Sequence, residues 1–129
     1  MERTERHPDS EPGPLILVCD DEPTLRELVR AVLGPGYRFV EAADGREALS
    51  VARDEEPDLI VLDVMLPGLS GIEVLDELRH DVRLAKTPVV VITAWSHTEA
   101  EVLTAGADAF VSKPFDPDDL SHAVEALLA

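Results

Sequence analysis

The sequence predicts an α/β fold, a doubly wound (βα)5 unit built on an open parallel five-stranded sheet. Three observations lead there. Short apolar runs alternate five times with segments carrying a helical stripe. Two of the runs, Leu59–Leu62 and Val89–Ile92, show no polar alternation, which marks strands buried on both faces, as in a parallel sheet. The length of 129 residues, with 45% hydrophobic content, suits one domain with a real core. Right-handed crossovers between such strands leave helices on both faces.

Leu15–Val18 reads as the first strand. Leu25, Leu28, Val29, Val32 and Leu33 then recur at i, i+3, i+4, i+7 and i+8, the stripe of an amphipathic helix. Asp21 is placed to cap that helix, Pro23 suits its first turn, and Gly34 and Gly36 end it. Tyr37–Glu41 is a weaker, edge-like strand. Asp44 starts the second helix, which carries Ala48, Leu49 and Ala52. After the third strand, Pro67, Gly68 and Gly71 mark a loop, and Ile72, Leu75 and Leu78 mark the third helix. Pro88 introduces the fourth strand. Thr98–Ala105 gives a poor helical pattern, with only Ala100 and Leu103. Ala109–Ser112 is a short fifth strand. Asp116 caps and Pro117 opens the last helix, with Leu120, Ala123, Val124, Leu127 and Leu128 on one face.

Residues 1–14 hold three prolines, six charged residues and no aliphatic residue, and read as a disordered tail. The domain is expected over residues 15–129. The formal net charge is −16, and without the tail nine basic and 23 acidic residues remain, so the acidity belongs to the folded part. Such a field repels phosphate backbones and anionic lipid, so neither nucleic acid nor membrane is an expected direct partner. A single cysteine excludes an internal disulfide and a cysteine-based zinc site. Cys19 ends a buried strand and reads as inert packing. No charged segment followed by an apolar stretch opens the chain, and a cytoplasmic location is expected.

Ligands of doubly wound sheets sit beyond the carboxyl ends of the strands. Those ends carry Asp20 and Asp21 after strand one, Asp63 at strand three, Thr93-Ala94 at strand four, and Lys113 after strand five. Each has a bland explanation alone: an acidic pair caps a helix, an aspartate ends a turn, a lysine is solvated. Together they need four coincidences on one edge. Two carboxylates about 5 Å apart repel by about 3 kcal/mol at an effective dielectric near 20. A hard divalent cation relieves that repulsion, and Mg2+ (or Mn2+) accepts carboxylates while keeping waters. Other chemistries fit less well. An aspartyl phosphatase often places a second aspartate two residues after the nucleophile, where this chain has Met65. Gly34-Pro35-Gly36 follows a helix rather than a strand, so it is no phosphate loop. Gly68-Leu69-Ser70-Gly71 lacks the spacing of a nucleophile elbow. The four histidines show no metal-ligand spacing.

With Asp20-Asp21-Glu22, Asp63 through Gly71, Thr93-Ala94, and Phe110 followed by Lys113-Pro114-Phe115 in this order, the sequence resembles a bacterial two-component response-regulator receiver domain. The resemblance spans about residues 15–129. It implies the flavodoxin-like strand order 2-1-3-4-5. It also implies that Asp63 accepts a phosphoryl group from a phosphohistidine of a sensor histidine kinase or phosphotransfer protein. Asp20, Asp21, Asp63 and the Met65 carbonyl would hold Mg2+. Lys113 would pair with Asp63 or its phosphate, and Thr93 would bond a phosphoryl oxygen. Ala94 would leave room for that group. Pro114 would follow a cis peptide. Movement of Thr93 would let Phe110 turn, switching the face of helix four, strand five and helix five. The domain would be a signalling unit that promotes its own phosphorylation and dephosphorylation rather than a turnover enzyme. Trp95, two residues beyond Thr93, is large for the mouth of the site and is expected to act as a lid over the acyl phosphate.

The Met65-Leu66-Pro67-Gly68 loop and Lys113-Pro114-Phe115 resemble receivers of winged-helix transcription factors, which dimerise through complementary charges on helices four and five. Residues 96–129 hold seven acids and one base, Lys113, which the site claims. A monomer or weak dimer with a basic partner is therefore expected. No residues follow helix five in this sequence, so a stand-alone receiver and a piece of a longer chain with an output domain both stay open. The alternative of another class is a pseudo-receiver, an unphosphorylated interaction module.

Overall fold

The computed structural model describes residues 13–94 and 99–129. The strands are β1 (Leu15–Cys19), β2 (Arg38–Ala42), β3 (Leu59–Asp63), β4 (Val89–Thr93) and β5 (Ala109–Ser112). The helices are α1 (Pro23–Leu33), α2 (Gly45–Glu55), α3 (Gly71–His80), α4 (Glu99–Thr104) and α5 (Pro117–Leu128). All strand pairs are parallel, in the order β2-β1-β3-β4-β5. The chain order therefore reverses between β1 and β3, which places the switch point there.

Alternate residues of the central strands feed two cores. Ile16, Val18, Leu59, Val61, Val90 and Ile92 pack with Val29 of α1 and with Leu120 and Val124 of α5. Leu17, Ile60, Leu62, Val89 and Val91 pack with Ala48, Leu49 and Ala52 of α2 and with Val74, Leu75 and Leu78 of α3. Every residue of β1, β3 and β4 is buried, which is why these strands carry no polar alternation. β2, at the edge, is only partly buried.

The helix ends follow local chemistry. The Asp44 carboxylate accepts the Glu47 N–H at 2.8 Å, Ser70 and Glu73 form a capping box, and Asp116 accepts the Asp118 N–H at 2.8 Å. Gly34 ends α1 with φ of 87°, a value that a residue with a Cβ rarely adopts. Two sequence expectations are corrected. Asp21 does not cap α1: Pro23 is the first helical residue, so the cap position falls on Glu22, one residue after Asp21, and Glu22 makes no side-chain bond to the helix. Leu28 is 47% exposed rather than buried. It lies one residue, about 100° of helical rotation, from Val29, the buried centre of the α1 seam, and so falls on the outer flank.

Pro14, just before β1, already joins the sheet. The Pro14 carbonyl accepts the Arg38 N–H at 2.9 Å, continuing the β1–β2 ladder. Arg79, near the end of α3, ties down two neighbouring loops. Its guanidinium donates to the carbonyls of Thr87 at 2.8 Å and Gly106 at 2.7 Å, and to the Asp108 carboxylate at 3.0 Å.

Candidate functional site

The carboxyl edge of the sheet brings residues from three strand ends into contact. Asp20, Asp21 and Asp63 each offer a carboxylate oxygen, and these oxygens lie within 4.8 Å of one another. Asp20 and Asp63 are both 4% exposed, whereas Asp21 faces solvent. Lys113 reaches in from beyond β5. Its Nζ donates to Asp63 Oδ2 at 2.8 Å and to Asp20 Oδ2 at 3.1 Å. The second oxygens are also used. Asp63 Oδ1 accepts the Met65 N–H at 2.9 Å, and Asp20 Oδ1 accepts the Glu22 N–H at 2.9 Å.

The electrostatics are those of an acidic pocket short of positive charge. Burial pushes the Asp20 carboxyl up to about 6, against the lowering effect of the Glu22 N–H and of Lys113. Burial opposes the charge on Lys113 as well, but its bonds to Asp63 and Asp20 outweigh that and raise it above the ordinary lysine value. Among the described residues, one ammonium thus faces three clustered aspartates. Their hard oxygen donors, and the strain that burial puts on an ionised Asp20, fit an added divalent cation.

The loop after β3 is placed by Gly71. A Cβ there would lie 2.5 Å from Val64 Cα and 2.7 Å from the Asp63 carbonyl, so only glycine lets α3 start this close to the site. Met65 is 48% exposed. With Asp21, Val64, Leu66 and Pro67 it borders a hollow of about 570 Å3. Another hollow, between α1 and β2, is lined by Glu27, Arg30, Tyr37 and Phe39 and holds no cluster of acids among the described residues.

Thr93 is fully buried at the end of β4. Its carbonyl accepts the Lys113 N–H at 2.9 Å, so the threonine and the lysine are tied through the backbone. Ala94 is exposed at the same edge. Phe110 is half-buried opposite Val91 and lines a hollow with Pro114, Asp116 and Asp119. The Lys113–Pro114 peptide is cis. Cys19 is buried, and burial pushes its thiol up, away from reactive thiolate chemistry. Trp95, expected to be a lid, lies outside the described residues.

Two residues that the sequence did not single out stand behind the site. Arg26 of α1 donates from Nη1 to the Asp20 carbonyl at 2.6 Å and from Nε to Glu41 Oε1 at 2.7 Å. A charged residue beside a helical stripe reads as solvated, and only the β1–β2 register reveals that Glu41 stands across from Val18 to receive it.

Fold and site together define a doubly wound α/β domain whose switch-point edge is an acidic, lysine-bridged centre. Residues 16–125 match the family of response regulator receiver domains, and the chain belongs to that family. It is 44% identical over 116 residues to the DNA-binding response regulator MtrA of Mycolicibacterium smegmatis, covering 88% of this chain and 50% of that protein. It is 39% identical over 119 residues to the phosphate regulon transcriptional regulatory protein PhoB of Pseudomonas aeruginosa, covering 90% and 52%. The chain thus spans about half the length of these relatives. Among solved structures, the receiver domain of the Francisella response regulator 1452 superposes with a TM-score of 0.83 at 33% identity, covering 90% of this chain and 97% of that one. The chemotaxis response regulator CheY4 of Vibrio cholerae gives 0.83 at 30% identity, covering 91% and 100%. A receiver is a signalling unit of two-component systems, and nothing in the site favours the pseudo-receiver alternative. Among the described residues, no helix is long and apolar enough to cross a membrane.

Proposed function

We propose that Asp63 is the phosphoacceptor of this receiver. A sensor histidine kinase or phosphotransfer protein would supply the group as a phosphohistidine. The observation that carries this reading is the near-buried Asp63 carboxylate, bonded to Lys113 at 2.8 Å inside a cluster of three aspartates. An Asp63 oxygen attacks phosphorus, the P–N bond to the donor imidazole breaks, and its electron pair returns to the ring nitrogen. The product is an acyl phosphate. Lys113 stays beside the transferred group and neutralises part of its charge, and Thr93 donates its hydroxyl to a phosphoryl oxygen. The exposed Ala94 leaves the approach open. Asp20, Asp21, Asp63 and the Met65 carbonyl would hold Mg2+ (or Mn2+). When bound, that cation offsets carboxylate repulsion and phosphoryl charge, which is most of what phosphoryl transfer requires. The same centre would promote the loss of the group to water.

The new charge and acceptor oxygens draw Thr93 toward Asp63. Space opens behind it, into which Phe110 turns, so the signal emerges on the α4–β5–α5 face. We infer that this face acts on an output unit, in the same chain or in a separate protein. The two relatives described above, a DNA-binding response regulator and a transcriptional regulatory protein, are about twice as long. The acidic receiver itself would touch neither DNA nor lipid, and it would work in the cytoplasm as a monomer or weak dimer. The test is exposure to acetyl phosphate with Mg2+, read by intact mass. Wild type should gain one phosphoryl group and Asp63→Asn none. Equal labelling of both would remove the assignment.

A further inference from the structure

We propose that Arg26, steadied by Glu41, is a positioning residue for the cation site, because it fixes the peptide plane that Asp20 and Asp21 share. The inference rests on the reading of that site as one for a divalent cation. Arg26 Nη1 donates to the Asp20 carbonyl at 2.6 Å. That carbonyl and the Asp21 N–H belong to one planar unit, so its orientation sets ψ of Asp20 and φ of Asp21, the two dihedrals between the ligand-bearing residues. Arg26 is itself held. Its Nε donates to Glu41 Oε1 at 2.7 Å, and the other Glu41 oxygen accepts Arg30 Nη1 at 2.7 Å. Glu41 is pulled below the usual glutamate range, first by its bond from Arg26, so the clamp is charged on both sides.

The remaining polar groups of Asp20 are spoken for. Its N–H donates to the Ala42 carbonyl at 3.1 Å, Oδ1 accepts from the Glu22 N–H, and Oδ2 accepts from Lys113. The Arg26 bond therefore completes the fixing of this residue from outside the site. Mg2+ demands near-ideal octahedral geometry, so a small rotation of two ligand-bearing residues should register in its affinity.

Charge and position make opposite forecasts here. Arg26 brings a positive charge close to a cation site, so by Coulomb repulsion its removal should tighten Mg2+ binding. As a positioning residue, its removal should loosen it. The experiment is calorimetric titration of metal-free protein with Mg2+, comparing wild type, Arg26→Gln and Arg26→Lys at a temperature where melting curves show all three folded. Arg26→Gln should bind about tenfold more weakly, the usual lower bound for losing a residue that orients a ligand. Arg26→Lys keeps the charge but not the two-pronged geometry, and it should also bind more weakly than wild type. Should Arg26→Gln not fold, the lysine variant decides. Affinity equal to or tighter than wild type in the deciding variant overturns the inference. If wild type itself takes up no Mg2+, the underlying reading of the site falls, and this one with it.

Discussion

Replacing Asp20 by asparagine should stabilise the metal-free protein at neutral pH, although it weakens a contact to Lys113. The carboxyl stands at about 6 in the folded chain against an ordinary 3.8. At about 1.4 kcal/mol for each tenfold change in proton affinity, that rise corresponds to about 3 kcal/mol. Asp20 is 4% exposed but lies at the open edge of the sheet, where solvent screens part of the field, so about 2 kcal/mol is the expected gain. The sign follows from linkage. The folded state holds the proton more tightly than the unfolded one. The stability tied to that proton is fully present below the unfolded value and is lost as pH rises through the folded value. Wild type and Asp20→Asn should therefore match near pH 3, diverge between about pH 4 and pH 6, and keep a constant gap above. Urea unfolding in EDTA measures this, as a shift in midpoint at unchanged slope. Saturating Mg2+ should reverse the order, because wild type binds the ion more tightly than the variant. A less stable Asp20→Asn at pH 7.5 without metal would mean that the Lys113 contact outweighs burial, and the reasoning would fail.

Three other variants probe the same edge. Lys113→Ala leaves Asp20 and Asp63 facing each other without their cation. It should cost about 3 kcal/mol in metal-free urea titrations at pH 7, with a smaller deficit once acid protonates Asp20. Asp21→Ala should weaken Mg2+ binding in calorimetry. Its metal-free melting should change by no more than about 0.5 kcal/mol, since Asp21 is exposed and makes no cap. Gly71→Ala forces a methyl group to within 2.5 Å of Val64 Cα and should destabilise by about 1–3 kcal/mol by the same assay. It should also slow labelling by acetyl phosphate, because the displaced backbone carries Asp63.

Much of this was legible in the sequence. Val89–Ile92 and Leu59–Leu62 are apolar without alternation because both faces of each strand meet a helix layer, so burial and pattern say the same thing. The strand-end residues Asp20, Asp63, Thr93 and Lys113 could be placed on one edge because a parallel sheet puts every carboxyl end on the same side. Contacts that depend on register could not be read. Arg26 looks like any solvated arginine until β2 lies beside β1 and brings Glu41 within its reach. Arg79 hides the same way, since besides Asp108 its acceptors are backbone carbonyls such as those of Thr87 and Gly106, which no residue type announces. Asp21 misled for a local reason. A helix opened by proline is capped by the residue just before it, which is Glu22, so the helix starts one residue too late for Asp21 to cap it.

The central claim is that Asp63 carries the phosphoryl group, and chemical trapping tests it most directly. Protein exposed to acetyl phosphate and Mg2+ is reduced with borohydride, which converts an aspartyl phosphate into homoserine, and the position is read by tandem mass spectrometry. Homoserine at position 63, lost when Mg2+ is withheld, is the expected result. Homoserine at Asp20 or Asp21, or phosphate that resists borohydride and maps to a hydroxyl or imidazole, would contradict it.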